Sequence, residues 1–466
     1  MKVPSSPPDD REIFRQLLES PDRPEKLALA FEYGRQAGPA EGGRYRHWDT
    51  FRHLDLPSGI SHEVAWTVIK IARRSLYRSL PLRDARGRPF VIATPAPVLE
   101  MLHRCDLEAG GTLLSDASEL SQGQTERFLV SGLMEEAVTS SQLEGASTTR
   151  RVGKDLLREG RAPRDRSERM IANNYAAIQH VRAAGAAPLT PAFIRELQSI
   201  LTEGTLDITD GGGRYRRDDE EISVTDLLTG APLHTPPPAG ELPERVERLC
   251  AFANEAPTEA TGGFLHPVAR AIILHFMIGY DHPFVDGNGR TARAVFYWAM
   301  KRAGYWLAEY ASISRILKPG RGKYSRAFLY SETDEGDLTY FLLHQLRVFG
   351  LAVEQLREYV RHKLRIEQGI ERQLAERVAR RLLLNDRQVA LVAHAMRHPD
   401  ARYSIESHSR SHHVSGEAAR QDLNALAAAG LMERRRAGRF LAFWPKPKLR
   451  ELLDEKPMTK FPRTSA

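Results

Sequence analysis

The stretch His282-Pro283-Phe284-Val285-Asp286-Gly287-Asn288-Gly289-Arg290-Thr291-Ala292-Arg293 decides how the 466-residue chain is read. It lies between two helical segments. The first, Pro267 to Tyr280, is apolar apart from Arg270 and His275. Its most apolar part, Ala271 to Tyr280, is too short for a hydrocarbon layer that needs ~20 residues, so a buried helix is expected. The second runs from Asn288 to Ala303 and is stopped by Gly304. Between them, Gly287 and Gly289 let the backbone pass close to an anion at a helix start, where the helix dipole is positive. Asp286 offers a hard oxygen ligand of the kind that a magnesium ion bridging phosphates needs. Arg290 and Arg293, three residues apart, share a helical face and can both reach phosphate oxygens. A neutral imidazole at His282 can take a proton from a hydroxyl as it attacks phosphorus, a contribution of ~10²–10⁴-fold. Phe284 is expected as the buried anchor of the loop. Singly, each of these residues has an ordinary structural reading. Together, a base, a metal ligand, a glycine nest and two arginines in working order do not.

The segment matches the signature HPFx(D/E)GNGRxxR at every defined position, and through it the chain resembles the Fic (filamentation induced by cAMP) family. The resemblance extends from about Phe128 to His344 and takes in His266-Pro267 ahead of the central helix. It implies a mainly α fold: a Fic-type helical bundle with a β-hairpin flap. It also implies a protein adenylyltransferase, in which His282 activates a Tyr, Thr or Ser hydroxyl of a target protein, or of the chain itself, to attack the α-phosphate of ATP. By the same resemblance Asp286 holds Mg2+, Gly287, Asn288 and Gly289 form the anion nest, and Arg290 and Arg293 clamp phosphates. Tyr324, with Asp334-Glu335-Gly336-Asp337, is similar to the aromatic and polar residues that relatives place around adenine. Gly320-Arg321-Gly322-Lys323-Tyr324 is not a P-loop, because it lacks the Ser/Thr after Lys and a first glycine at the required distance.

Ser140-Ser141-Gln142-Leu143-Glu144-Gly145 resembles the family's inhibitory helix motif, (S/T)xxxE(G/N). That implies inhibitory roles for Ser140 and Glu144, with Glu144 paired to Arg293. An exposed ion pair is worth only ~0–1 kcal/mol, whereas moving a population from 1:99 to 99:1 takes ~5.5 kcal/mol. The pair alone is insufficient, so Glu144 is expected to occupy the place of the γ-phosphate. Release by dissociation of a homodimer or by self-modification stays open, as does the reverse reaction, removal of AMP. Thr205 to Pro238, with Gly211-Gly212-Gly213 and Thr229-Gly230, reads as an exposed hairpin. It resembles the family's flap, whose edge can register a target segment by strand addition. Arg214, Tyr215, Arg216 and Arg217 flank it as surface charge for acidic targets or for solvent.

Composition sets the frame. With 41% hydrophobic and 27% charged residues, the chain is that of a folded globular protein with room for several domains. Cys105 and Cys250 stand far apart and outside any CxxC, which excludes a disulfide framework and suits a reducing compartment. Met1 to Asp10 lacks the apolar stretch of a secretory signal, and a cytoplasmic protein without membrane contact is expected. The sequence divides into an N-terminal Fic-associated region without chemistry of its own (1–115), a catalytic core (116–365) with its inhibitory helix at 121–147, a linker helix (366–384), a winged-helix domain (385–452) and a disordered tail (453–466). From Asp337 to about Leu384 the charged helical pattern suits bridging helices more than a core. In the last domain, helices at Asp386 to Arg397, Glu406 to His412 and Ser415 to Ala429 precede strands at Leu431 to Arg434 and Phe440 to Trp444. Of the net charge of +7, about +6 falls between Asn385 and Arg450. A second class of function is therefore a DNA-binding regulator with a Fic portion as sensor. Arg420, Gln421 and Asn424 would meet base edges and Arg434, Arg435, Arg436 and Arg439 phosphates, although four alanines make that helix poor in reading side chains.

Overall fold

A computed structural model describes residues 2–110, 122–208, 210–220, 222–225, 230–255, 263–378, 384–397, 400–437, 440–447 and 449. The fold is mainly helical, with three short two-stranded hairpins among the described residues. Helices α1 (Asp10–Glu19), α2 (Arg23–Ala37), α3 (Trp48–Phe51) and α4 (His62–Arg74) come first, followed by the hairpin β1 (Arg78–Arg83) and β2 (Pro89–Ile92) and by α5 (Ala96–Ala109). Next come α6 (Gln122–Leu143), α7 (Arg150–Glu159), α8 (Arg166–Ala184) and α9 (Pro191–Thr202). Then follow the hairpin β3 (Val224–Thr225) and β4 (Pro232–His234), α10 (Leu242–Asn254), α11 (Pro267–Asp281), α12 (Asn288–Arg302), α13 (Ile313–Leu317), α14 (Arg321–Thr333) and the long α15 (Thr339–Val378). The chain finishes with α16 (Asp386–Arg397), α17 (Ile405–His412), α18 (Gly416–Ala428) and the hairpin β5 (Met432–Ala437) and β6 (Phe440–Pro445). Two compact units emerge: one holds residues 2–110, 132–153 and those described from 163 to 354, the other 122–131, 154–162 and those described from 355 on.

The centre of the first unit is α11 packed on α12. Pro267 opens α11 where a missing N–H costs nothing, and the ring of His266 accepts from the N–H of Val268. Val268 to Ile278 is buried on every side except at Arg270, so this helix is core all round, as its composition demands. Helices α8 and α9 lie against α12, and each is opened by a side-chain cap, Asp165 and Thr190 respectively.

Four expectations need correction. The helix placed at 121–147, with Glu144-Gly145 closing it, spans Gln122–Leu143; Gly145 at φ 103 turns the chain out just after Glu144, and the residues directly beyond it are not helical. The pattern from Asp337 onward, expected to bridge domains more than to form a core, does both: α15 belongs to both units, and Tyr340, Phe341, Leu346, Phe349 and Val353 in its first part are buried. Residues 2–110 fall in one compact unit with the central helices, and they contain the β1–β2 hairpin, which the sequence did not disclose. The hairpin strands near the C-terminus are longer than expected, reaching Ala437 and Pro445. The tail at 453–466 lies outside the described residues. No described helix is long and apolar enough to cross a membrane.

Candidate active site

His282 caps the C-terminus of α11 in the left-handed region (φ 46, ψ 56), an uncommon conformation for a residue with a Cβ. That turn brings its Nδ1 to 3.1 Å from the carbonyl of Gly279. A carbonyl can only accept, so Nδ1 carries the hydrogen and Nε2 holds the lone pair, with no partner among the described residues. Burial pushes the imidazole below its ordinary value, against a smaller opposite pull from the Glu144 charge. His282 is thus set up as a neutral base.

The turn itself is held by Arg216. Its Nε donates to the carbonyl of His282 at 2.9 Å, its Nη2 to the carbonyl of Pro237, and its backbone N–H to the carbonyl of Pro283 at 2.9 Å. A guanidinium here also suits the negative end of α11. Arg216 was expected at the surface and is buried. Arg214 and Arg217 are engaged with Asp210 and Glu220, so the run is not free charge beside the flap. At the flap, Val224 pairs with His234 and Thr225 with Pro232; the expected turn at Thr229 falls outside the described residues. His234 donates from Nδ1 to Glu332 at 2.7 Å and from Nε2 to the Tyr280 carbonyl at 2.7 Å, which makes it an imidazolium. Burial opposes that charge, but Glu332 and the carbonyl keep its pKa above the ordinary value.

After His282 the loop closes on itself. The side chain of Asn288 accepts from the N–H of Phe284 at 2.9 Å and donates to its carbonyl at 2.7 Å, while the Phe284 ring is fully buried. Asn288 therefore serves the loop with its side chain, leaving only its backbone for an anion. Gly287, at φ 84, caps α12, and its N–H is taken by Asp286 Oδ1 at 2.6 Å. The helix ladder starts with Thr291 N–H on the Gly287 carbonyl, so the N–H groups of Asn288, Gly289 and Arg290 head the positive end of α12.

The two arginines of the loop diverge. Arg290 is buried, with Nη1 on the Leu201 carbonyl at 2.8 Å and Nη2 on Asp286 Oδ2 at 3.1 Å. It does not form a common fork with Arg293; it orients Asp286, whose side chain remains about half exposed. Arg293 turns to α6: Nε donates to Ser140 Oγ at 2.9 Å, and Nη2 to the Ser140 carbonyl at 3.2 Å and to Glu144 Oε1 at 2.9 Å. Its Nη1 is buried without a partner and lies 3.2 Å from where a Cβ on Gly289 would stand. That same Cβ would collide with Glu144 Oε1, so the carboxylate fills the approach to the nest.

The pair is not the exposed one the sequence suggested. Arg293 is 1% exposed and the Glu144 side chain 28%. Burial opposes the charge of Glu144, yet Arg293 outweighs it, with Arg290 and Arg321 adding to the pull, and its pKa falls below the ordinary value. Arg321, at the start of α14, is a cation the motif did not single out. Its signal is weak, since it stands far from the signature in sequence.

Tyr324 is partly buried, its hydroxyl 2.8 Å from His275 Nε2, and the charges of Arg293 and Glu144 act on it. The acidic run beyond it is structural. Asp334 binds Lys70 at 2.8 Å and the Tyr340 hydroxyl at 2.6 Å, Asp337 takes the hydroxyls of Tyr45 and Tyr77, and Gly336 and Leu338 bond to Val91 of β2. The expected adenine contacts at Asp334 and Asp337 are thus replaced by a joint between the N-terminal region and α14–α15.

Residues 188–300, which contain this loop, match the family model described as Fic/DOC family. A stretch of 94 residues, 20% of the chain, is 35% identical to the protein adenylyltransferase Fic of Drosophila grimshawi and 34% identical to that of Drosophila melanogaster. The match spans only 17% and 16% of the lengths of those relatives. Among solved structures, a Fic family protein from Desulfovibrio desulfuricans aligns with 76% of this chain and 98% of its own at a TM-score of 0.47 and 17% identity. Fic-1 from C. elegans aligns with 57% of this chain and 73% of its own at 0.44 and 18%. The chain carries, over residues 188–300, a Fic/DOC family domain.

Proposed function

We propose that this chain is a protein adenylyltransferase that moves AMP from ATP to a hydroxyl side chain of a protein, and that Glu144 holds it off. The observation that carries the reading is the buried, unpartnered Nη1 of Arg293 beside Gly289, at a helix start whose approach is filled by a carboxylate. An anion belongs there, and Glu144 supplies one from within the chain. The stretch shared with relatives named protein adenylyltransferase supports the same reading.

The chemistry follows from the chain's own groups. A phosphate replacing the Glu144 carboxylate would take the bonds of Arg293 and the free N–H groups of Asn288 and Gly289. His282 Nε2 takes the proton of the target hydroxyl while the oxygen attacks the α-phosphorus. The bond from the α-phosphorus to its bridging oxygen breaks, and pyrophosphate leaves with the electron pair. Arg216 keeps the His282 backbone in the turn from which the ring acts.

The donor set fits a magnesium ion. Among the described residues no group of three or more His, Cys, Asp or Glu could cage a metal, and magnesium is commonly held by one or two carboxylates plus phosphate oxygens and water. Asp286, half exposed and oriented by Arg290, is the residue to hold it. Bound there, the ion would neutralise charge on the phosphates.

ATP labelled either at the α- or the γ-phosphate, offered to the Glu144→Gly chain with a lysate, tests the reading. Label that depends on the added chain should reach protein from the α position alone and disappear when His282→Ala is added. Transfer of the γ label would instead mark a kinase and overturn the proposal.

A further inference from the structure

The second unit contains a part with its own core. Leu391, Val392 and Ala395 of α16 pack with Leu423 and Leu426 of α18 and with Met432 and Phe443 of the β5–β6 hairpin. Tyr403, between α16 and α17, pairs with Phe443 through both backbone bonds and adds a third position to the sheet. Local signals set each boundary: Ser404 and Ser407 form a capping box at α17, His413 ends that helix at φ 50, and Ser415 caps α18.

The face that α18 leaves uncovered is polar. The helix buries Ala419, Asp422, Leu423 and Leu426, and exposes Glu417, Arg420, Gln421 and Ala428, with Asn424 half exposed. The register of the hairpin places a cationic stripe beside it. Arg434 faces Phe443 and Arg436 faces Leu441, and directly opposed residues lie on one face of an antiparallel pair. Phe443 is fully buried in the core that α18 helps to form. Arg434 and Arg436 therefore project on the α18 side of the hairpin, past the edge of the core, where both are exposed.

Several acids of this part are engaged elsewhere, while Glu417, at the start of α18, stays exposed. Asp422 is buried and accepts from Asn385, Arg387 and His408; Glu406 pairs with Arg410, Glu433 with Arg435, and Glu159 with Arg402. Among the described residues, Arg420, Arg434 and Arg436 have no acidic partner. A protein partner would be expected to find an aromatic or aliphatic anchor, and among the described residues this face offers none larger than the exposed Leu441. What it offers is unpaired guanidinium groups flanking a helix with amide side chains.

We propose that this part is a winged helix that docks on duplex DNA, with α18 entering the major groove and Arg434 and Arg436 on the flanking phosphates. Gln421 and Asn424 are the side chains that reach base edges. Ala425 and Ala428 allow close approach but read little, so binding is governed by phosphate contacts and is weakly sequence-selective.

The full-length chain and a fluorescent random-sequence duplex test this by anisotropy across salt concentrations. Binding is expected in the ~10⁻⁴–10⁻⁶ M range at physiological salt, weakening as salt rises. In Arg434→Ala/Arg436→Ala the log–log salt slope should become shallower by about 2, with AMP transfer and helical content unchanged. Gln421→Ala/Asn424→Ala, two uncovered positions, should weaken binding several-fold without changing that slope. No duplex binding at low salt, a slope that ignores the wing arginines, or capture of single-stranded RNA without duplex would overturn the proposal.

Discussion

Oε1 of Glu144 is 2.9 Å from Nη2 of Arg293, and the same oxygen occupies the space that a side chain at Gly289 would need. One carboxylate thus closes both the guanidinium and the glycine nest. Burial makes this pair stronger than a surface pair, and removing one partner leaves a buried charge behind.

Glu144→Gly should therefore raise AMP transfer by about 5–150-fold, the usual span of coupling between two states. The same variant should melt earlier than wild type without ligand and gain more from added ATP with magnesium, because phosphate then neutralises Arg293. Scanning calorimetry with and without ATP, beside a labelling assay, reads both effects. Equal activity would remove the brake.

Gly289→Ala, made in the Glu144→Gly background, isolates the nest from the brake. The carboxylate that the new methyl group would strike is gone, leaving Arg293 Nη1 at 3.2 Å as its closest remaining neighbour, so a loss reports on phosphate approach to the glycine and that guanidinium. ATP affinity should fall by ~10-fold or more, a change of about 1.4 kcal/mol. Unchanged affinity in a titration would show that the triphosphate lies elsewhere.

The pH profile has a defined sign. As the proposed base, His282 must work in its neutral form, and burial lowers its pKa, so activity should persist as pH falls below about 6.5 and fail only on passing the lowered pKa. Because the Glu144 charge raises that pKa, Glu144→Gly should move the acid limb to still lower pH than the residual activity of wild type. A limb shifted upward would contradict this placement of the two groups.

Arg216→Lys tests positioning. Lysine keeps the charge but cannot bridge the carbonyls of His282 and Pro237 in the same geometry. Turnover should drop by ~10–100-fold with the KM for ATP little changed, since displacement of the base by a fraction of an ångström is enough. A loss confined to KM would place Arg216 in nucleotide binding instead.

The sequence made some parts legible and hid others for physical reasons. The helices α11 and α12 differ from expectation by one residue each. Local pattern and caps suffice there. The β1–β2 hairpin carries Pro81 inside a strand, which argues against a strand on local grounds. Arg290 and Arg293 are three apart on one helix, but the Leu201 carbonyl draws one and Ser140 the other, and neither neighbour is visible from spacing. The role of Asp334 depends on Lys70, which is 264 residues away in the chain. Arg216 was hidden likewise: nothing in a run of arginines says which one is folded inward onto a carbonyl.

The central claim is that the loop from His282 to Arg293 receives a triphosphate where Glu144 now sits and that His282 then acts as base. ATP binding by calorimetry and AMP transfer, measured on one preparation each of Glu144→Gly and Glu144→Gly/His282→Ala, test it most directly. Both variants should bind ATP with magnesium alike while only the first transfers AMP. Absence of binding in either, or transfer that survives the loss of the imidazole, would contradict the account.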